Sequence, residues 1–147
     1  MKEILLKIFD RDLNKLKDEI SAYKDENKLW IISEDIKNST GNLCLHLCGN
    51  LQHFIGAIIG NSDYVRNREA EFGTKDLPKS ELLKGIDNTI VAVEKSLNDL
   101  KEEKLNEIFP INVFGYEMTT AYFLVHLIAH LDYHLGQINY HRRLLDN

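Results

Sequence analysis

The sequence predicts an all-α fold, a single-domain four-helix bundle spanning residues 1–147. Three observations carry this expectation. Four segments of helix length repeat apolar residues every three or four positions. Only 2 prolines and 8 glycines interrupt the 147 residues, so long helices are possible. No other regular structure competes with them, which leaves helix on helix as the way to bury their apolar faces. A chain of this length buries roughly two-thirds of its unfolded surface and needs no covalent staples.

The first helical segment covers residues 3 to 24, where Ile4, Leu5, Ile8, Leu13, Leu16 and Ile20 recur with lysines and acids between them. Residues 25 to 38 read as a long connection anchored on the core by Leu29-Trp30-Ile31-Ile32. A second helix should start at Asn38-Ser39, both good N-caps, and end at Gly60-Asn61. Residues 61 to 77 read as a charged loop, long enough to suggest a role beyond connection. Pro78 suits the first turn of a third helix, with Leu82, Leu83, Ile86, Ile90, Val93, Leu97 and Leu100 as its apolar face. Residues 101 to 116 form a connector in which Ile111-Asn112-Val113-Phe114 suggests a short extended piece. Thr119 or Thr120 caps a fourth helix that runs to Leu145. The long connections permit helices that are not neighbours in sequence to pack together.

Composition narrows the function classes. Hydrophobic residues make up 44% and charged residues 28%, as in ordinary globular proteins. The net charge is −5, and the 18 basic residues are spread along the chain apart from Arg142-Arg143. A nucleic-acid surface needs a concentrated positive field, so none is expected. The N-terminal residues lack the apolar core of a signal peptide, and no apolar run reaches the length of a membrane span. A cytoplasmic location is expected. Cys44 and Cys48 are the only cysteines. On a helix, His46 points about 200° away from both, so Cys-x-His-x-Cys cannot hold one ion. The two thiols read as small buried hydrophobes.

The chemistry concentrates in the fourth helix. His126, His130 and His134 are spaced four apart, and His141 follows by seven. Four residues make one turn plus about 40°, so these side chains drift slowly along one face. Imidazoles one turn apart can hold the same metal ion. On the second helix, His46, Asn50 and His53 form a polar stripe inside an apolar segment. His46 with two members of the fourth-helix stripe gives three protein ligands, the pattern of a catalytic rather than a closed structural site. Spacing leaves His126/His130 and His130/His134 as equal alternatives. His53 and His141 lie two turns along, about 10 Å, and read as surface or dimer contacts.

Three stretches carry a family resemblance: Ser39 to Leu51, Tyr64 to Phe72, and His126 to Arg143. Together they resemble the DinB/YfiT-like superfamily of metalloenzymes, within a bacterial DinB-like branch, over nearly the whole chain. The His-x-x-x-His-x-Gly-Gln core, His130 to Gln137, is the most specific part. The resemblance implies an up-up-down-down four-helix bundle, a homodimer, and a divalent metal held by His46, His130 and His134. Nickel or zinc is the implied ion, with iron compatible with three imidazoles. His126 then becomes a supporting or core residue. Tyr133 replaces a histidine frequent in the family without removing a ligand. Gly136 would allow a neighbouring helix to approach, since a mid-helix glycine otherwise costs about 1 kcal/mol. Gln137 and Asn50, within one turn of a ligand, could orient the site. Tyr133, Arg66 and Arg68 are candidates for substrate contacts.

Related proteins suggest a transferase that uses a low-molecular-weight thiol on a small electrophile, with the metal activating the thiol. A metal-dependent hydrolase is the enzymatic alternative. A non-enzymatic metal-binding stress protein is the other.

Overall fold

The computed structural model describes residues 1–147 and is all-helical. Helix α1 spans Lys2–Ser21 and buries Leu5, Phe9, Leu13, Leu16 and Ile20, a continuous stripe at steps of four and three. Ile4, expected on that face, is 58% exposed, and Phe9 takes the core place. The chain then makes a tight helical turn at Glu26–Trp30, whose first amide is capped by the Asp25 carboxylate (Asn27 N–H to Oδ1, 2.9 Å). Of the apolar run in this connection, Leu29 is fully buried while Ile32 stays exposed. Trp30 Nε1 donates to the Leu77 carbonyl (3.2 Å), and its ring covers Gly41 so closely that no side chain fits there.

Helix α2 begins at Thr40, with the Ser39 hydroxyl accepting from Asn42 N–H (3.2 Å). It is α-helical over Thr40–Leu51 and continues as a π-helix over Gln52–Ile59. Nearly every residue of Thr40–Leu51 is buried, as expected of a helix apolar on all sides. Cys44 and Cys48 lie here as free, buried thiols.

Residues 61–77 are not the plain loop the sequence suggested. They contain a short helix, α3, at Arg68–Gly73, capped by the Asn67 side chain (Ala70 N–H to Oδ1, 3.1 Å). The Asn42 amide fastens this segment to α2 by donating to the carbonyls of Glu71 (2.9 Å) and Thr74 (2.8 Å). Helix α4, Lys79–Asp99, follows Pro78 and buries Leu82, Ile86, Val93 and Leu97.

The connector to the last helix holds a helical turn at Glu102–Asn106 and buries Leu105, Phe109 and Met118. The expected extended piece at 111–114 does not form. The only strand-like pairing is a bridge between Ile108 and Thr119, where Phe109 N–H donates to the Met118 carbonyl (2.9 Å). Helix α5 spans Thr120–Leu145 under a Thr119 cap (Tyr122 N–H to Oγ1, 3.1 Å), with Arg142 and Arg143 favourably placed in its last turn.

Helix α1 packs on α4 and α5, and α2 packs on the same pair from the other side, so the four long helices enclose one core. No helix is long and apolar enough to cross a membrane.

Two expectations about α5 need correction. His141 is buried, not a surface residue. Its Nε2–H donates to the Ile31 carbonyl (2.9 Å), which leaves Nδ1 to accept from the Tyr23 hydroxyl (2.6 Å). The Thr40 hydroxyl donates in turn to the Tyr23 oxygen (2.6 Å). One side-chain chain thus ties α1's exit, α2's first turn and α5's last. Gly136 is exposed, and a methyl group added there would touch nothing. It marks no helix–helix approach within the chain.

Candidate metal centre

Helix α2 presents His46 toward α5, which presents His130 and His134 from successive turns. One ring nitrogen from each lies within 4.8 Å of the other two. The Nε2 atoms of His46 and His130 are 3.1 Å apart. Two nitrogens bound tetrahedrally to one ion at about 2.0–2.1 Å are separated by roughly 3.3 Å, so this pair already has the spacing of ligands. The ring centroids are 5.0 Å apart for His46 and His130, 5.3 Å for His46 and His134, and 4.6 Å for His130 and His134.

Packing brings His130 and His134, rather than His126, together with His46. His126 stacks on Phe123 (5.9 Å between centroids, 11° between planes) and meets the edge of Phe114 at 4.7 Å. It lines the adjacent cleft instead of joining the cluster. His53 packs edge-on against Phe54 (4.7 Å), away from the cluster.

Hydrogen bonds set which nitrogens are free. His46 Nδ1–H donates to the buried Glu71 carboxylate (3.0 Å), leaving Nε2 as a bare lone pair. Glu71 is held by Arg66 through two bonds, Nε to Oε2 at 2.9 Å and the terminal nitrogen to Oε1 at 3.0 Å. Its carboxylate lies directly over Gly49, in the space a side chain would take. His134 Nδ1–H donates to Gln137 Oε1 (2.7 Å), which again leaves Nε2 free. A carbonyl or carboxylate behind a histidine is the usual support of a metal ligand. His130 lacks one, for its buried Nδ1 has no partner in the protein.

His46 and His130 are suited to a cation in charge as well as position. Burial, and then the neighbouring His134, His46, His126 and Arg66, push the His130 pKa down to about 4. Burial also lowers the His46 pKa, partly opposed by Glu71. Both rings are therefore neutral at pH 7, the form that binds metal.

The cluster opens on a cleft of about 190 Å³ that His46, His130, Asn50, Arg66, Arg68 and His126 help to line. Asn50 Oδ1 is buried there without a partner. A larger groove of about 670 Å³ runs between residues 35–38 and α5, bordered by Tyr133 and Gln137. It includes none of the three clustered histidines, so the smaller cleft is the one that meets the chemistry. Tyr133 itself is 66% exposed, with its ring edge-on to His134 at 5.3 Å.

Glu71 and Asn42 are the residues that sequence reading missed. Glu71 stood among other charges in an expected loop. The available signal was Gly49, a glycine inside a buried apolar helix, which implies that something bulky presses on it.

The fold and the cluster define an all-helical domain with a three-histidine candidate metal centre. The chain belongs to the family described as "Protein of unknown function (DUF1572)", which matches residues 5–147. It is also similar to a solved structure, "Crystal structure of the conserved protein of locus from Enterococcus faecalis", at 17% identity and a TM-score of 0.76. That match covers 99% of this chain and 96% of the other and bears on the fold alone. No curated protein matches the chain.

Proposed function

We propose that this protein is a metal-dependent enzyme, a thiol-dependent S-transferase acting on small electrophiles, with His46, His130 and His134 as ligands. Nickel or zinc is the expected ion, and iron suits the same donors. The observation that carries the reading is the convergence of three imidazoles beside an open cleft. A divalent ion on three neutral ligands keeps its full charge and supplies acidification of a coordinated thiol. Within the chain, Glu71 and Gln137 hold the His46 and His134 rings in one tautomer. Gln137 fixes His134 from within α5, and Arg66 fixes Glu71 in turn. Tyr133, edge-on to His134 at 5.3 Å, backs that ring from outside the small cleft. Metal-dependent hydrolysis by the same ion is the enzymatic alternative.

The DinB/YfiT-like up-up-down-down arrangement and a cytoplasmic setting belong to the same reading. The buried, free Cys44 and Cys48 fit a reducing compartment. A homodimer is supported by an exposed stripe on α5. Tyr122, Val125, Tyr133, Gly136, Tyr140 and Leu144 fall within about 100° of one another around the helix, and all are exposed. The stripe is self-complementary about Gly136. A two-fold axis there sets Tyr133 of one copy against Tyr140 of the other, with no side chain between the backbones.

The test is metal analysis of untagged protein, followed by thiol-dependent consumption of 1-chloro-2,4-dinitrobenzene. We expect about one ion per chain and activity lost in His130→Ala. Turnover of esters without thiol would move the assignment to hydrolysis. A metal whose removal unfolds the chain, with no thiol chemistry, would leave the non-enzymatic binding protein.

A further inference from the structure

The cleft beside the histidines is positively charged in a protein whose net charge is −5. Two arginines and no carboxylate line it. The two arginines are not equivalent. Arg66 spends its guanidinium on both oxygens of Glu71 and packs over the Phe54 ring (5.8 Å). Arg68, in the first turn of α3, is exposed at the cleft and makes no ion pair or side-chain hydrogen bond within the chain. At the inner wall, Asn50 Oδ1 is buried and unpaired, which marks a surface built for a polar ligand. The apolar wall is three phenylalanines with Val113 and Leu127. Phe54 meets Phe123 edge to face at 5.0 Å, and Phe114 stands 6.2 Å from Phe123. A volume of about 190 Å³ equals that of roughly six liquid waters, well below the usual range for drug-sized ligands.

We infer that Arg68 is the specificity-determining residue of this cleft and binds the carboxylate of a small, flat, unsaturated or aromatic substrate. A guanidinium offers a planar fork that matches a carboxylate. A phosphate dianion would call on more than one free cation, and Arg66 is already neutralised by Glu71. The apolar body of the ligand lies along Phe54 and Phe123, and its polar hydrogen, where it has one, meets Asn50. As a substrate subsite this rests on the proposed function, but the carboxylate contact itself needs no metal.

Benzoate and its neutral isostere benzamide separate the contributions. Their binding is measured by calorimetry and by chemical-shift changes of the Arg68 and Asn50 side chains, in zinc-loaded protein and in metal-free protein shown to be folded by circular dichroism. We expect benzoate to bind at least roughly tenfold tighter than benzamide, the scale of one charge-assisted contact. Arg68→Gln should erase that preference without changing zinc stoichiometry. Arg143→Gln, on the far end of α5, should keep it. The inference is overturned if benzoate has no advantage, if the advantage survives Arg68→Gln because the carboxylate sits on zinc, or if phenyl phosphate binds more tightly than benzoate through Arg68. A wild-type protein that takes up no zinc but keeps an Arg68-dependent preference sinks the metalloenzyme reading alone.

Discussion

The carboxylate of Glu71 occupies the space above Gly49 in which any side chain would have to stand. That contact places Glu71 one helical turn from His46 and lets its oxygen reach Nδ1.

Gly49→Ala should therefore push Glu71 off His46. An alanine at an ordinary helix position stabilises by about 1 kcal/mol, but here the displaced, buried Glu71–Arg66 pair outweighs that gain. We expect a lower melting temperature and a zinc affinity reduced by about 10–100-fold, the usual effect of losing a ligand's support. Competition with a chromophoric chelator reads the affinity. Unchanged affinity together with a raised melting temperature would remove Glu71 from the account.

Histidine titration sets a pH window for the metal-free protein. The His130 pKa is lowered to about 4 in the folded state, chiefly by burial, against about 6.5 when unfolded. Protons then bind the unfolded chain more readily. The stabilising contribution is complete above pH 6.5 and is lost as pH falls toward 4. His46 shifts the same way. The loss should be on the order of 1–3 kcal/mol, read by urea denaturation between pH 7.5 and 4.5. His130→Phe should flatten part of that slope. An unaltered slope in this variant would show that His130 contributes nothing to it.

Tyr23→Phe removes the hydroxyl that joins Thr40 to His141. It leaves His141 Nδ1 buried without a donor, which should cost about 1–3 kcal/mol in chemical denaturation. Metal affinity should be unaffected, because His141 lies outside the cluster. A fall in metal affinity greater than the change in stability explains would contradict that separation.

Tyr140→Glu places a charge in the exposed α5 stripe, where the proposed two-fold axis would set it against Tyr133 of the other copy. Sedimentation should show a dimer for the natural protein at micromolar concentration and a monomer for this variant, with the circular dichroism unchanged. A monomeric natural protein would dismiss the stripe as an interface.

The long helices were legible because periodicity is a local signal, and caps such as Ser39 and Thr119 act within a single turn. Spacing also placed His46, His130 and His134 on facing helices. It could not separate His126 from His134, since that depends on the His126 ring stacking on Phe123 of its own helix and meeting Phe114 from the connector before it. Glu71 was hidden because its role comes from a short helix pinned by Asn42, a contact across 29 positions. Within the chain, the reasoning that a mid-helix glycine admits a close neighbour applies to Gly49, not Gly136. His141 looked like surface because Tyr23 and Ile31, its partners, lie more than a hundred positions away.

The π-helical stretch at Gln52–Ile59 has a mechanical consequence. Its wider turn advances less per residue than the α-helical 100°, so it acts as a phase shifter within one continuous rod. The turn that carries His46 and Asn50 and the part that carries Phe54 are not locked to a common wheel. Removing Gln52 or His53 would rotate Phe54 and the following apolar residues while leaving His46 where it stands. The ligand-bearing end and the aromatic wall of the cleft can thus be tuned separately along the same helix.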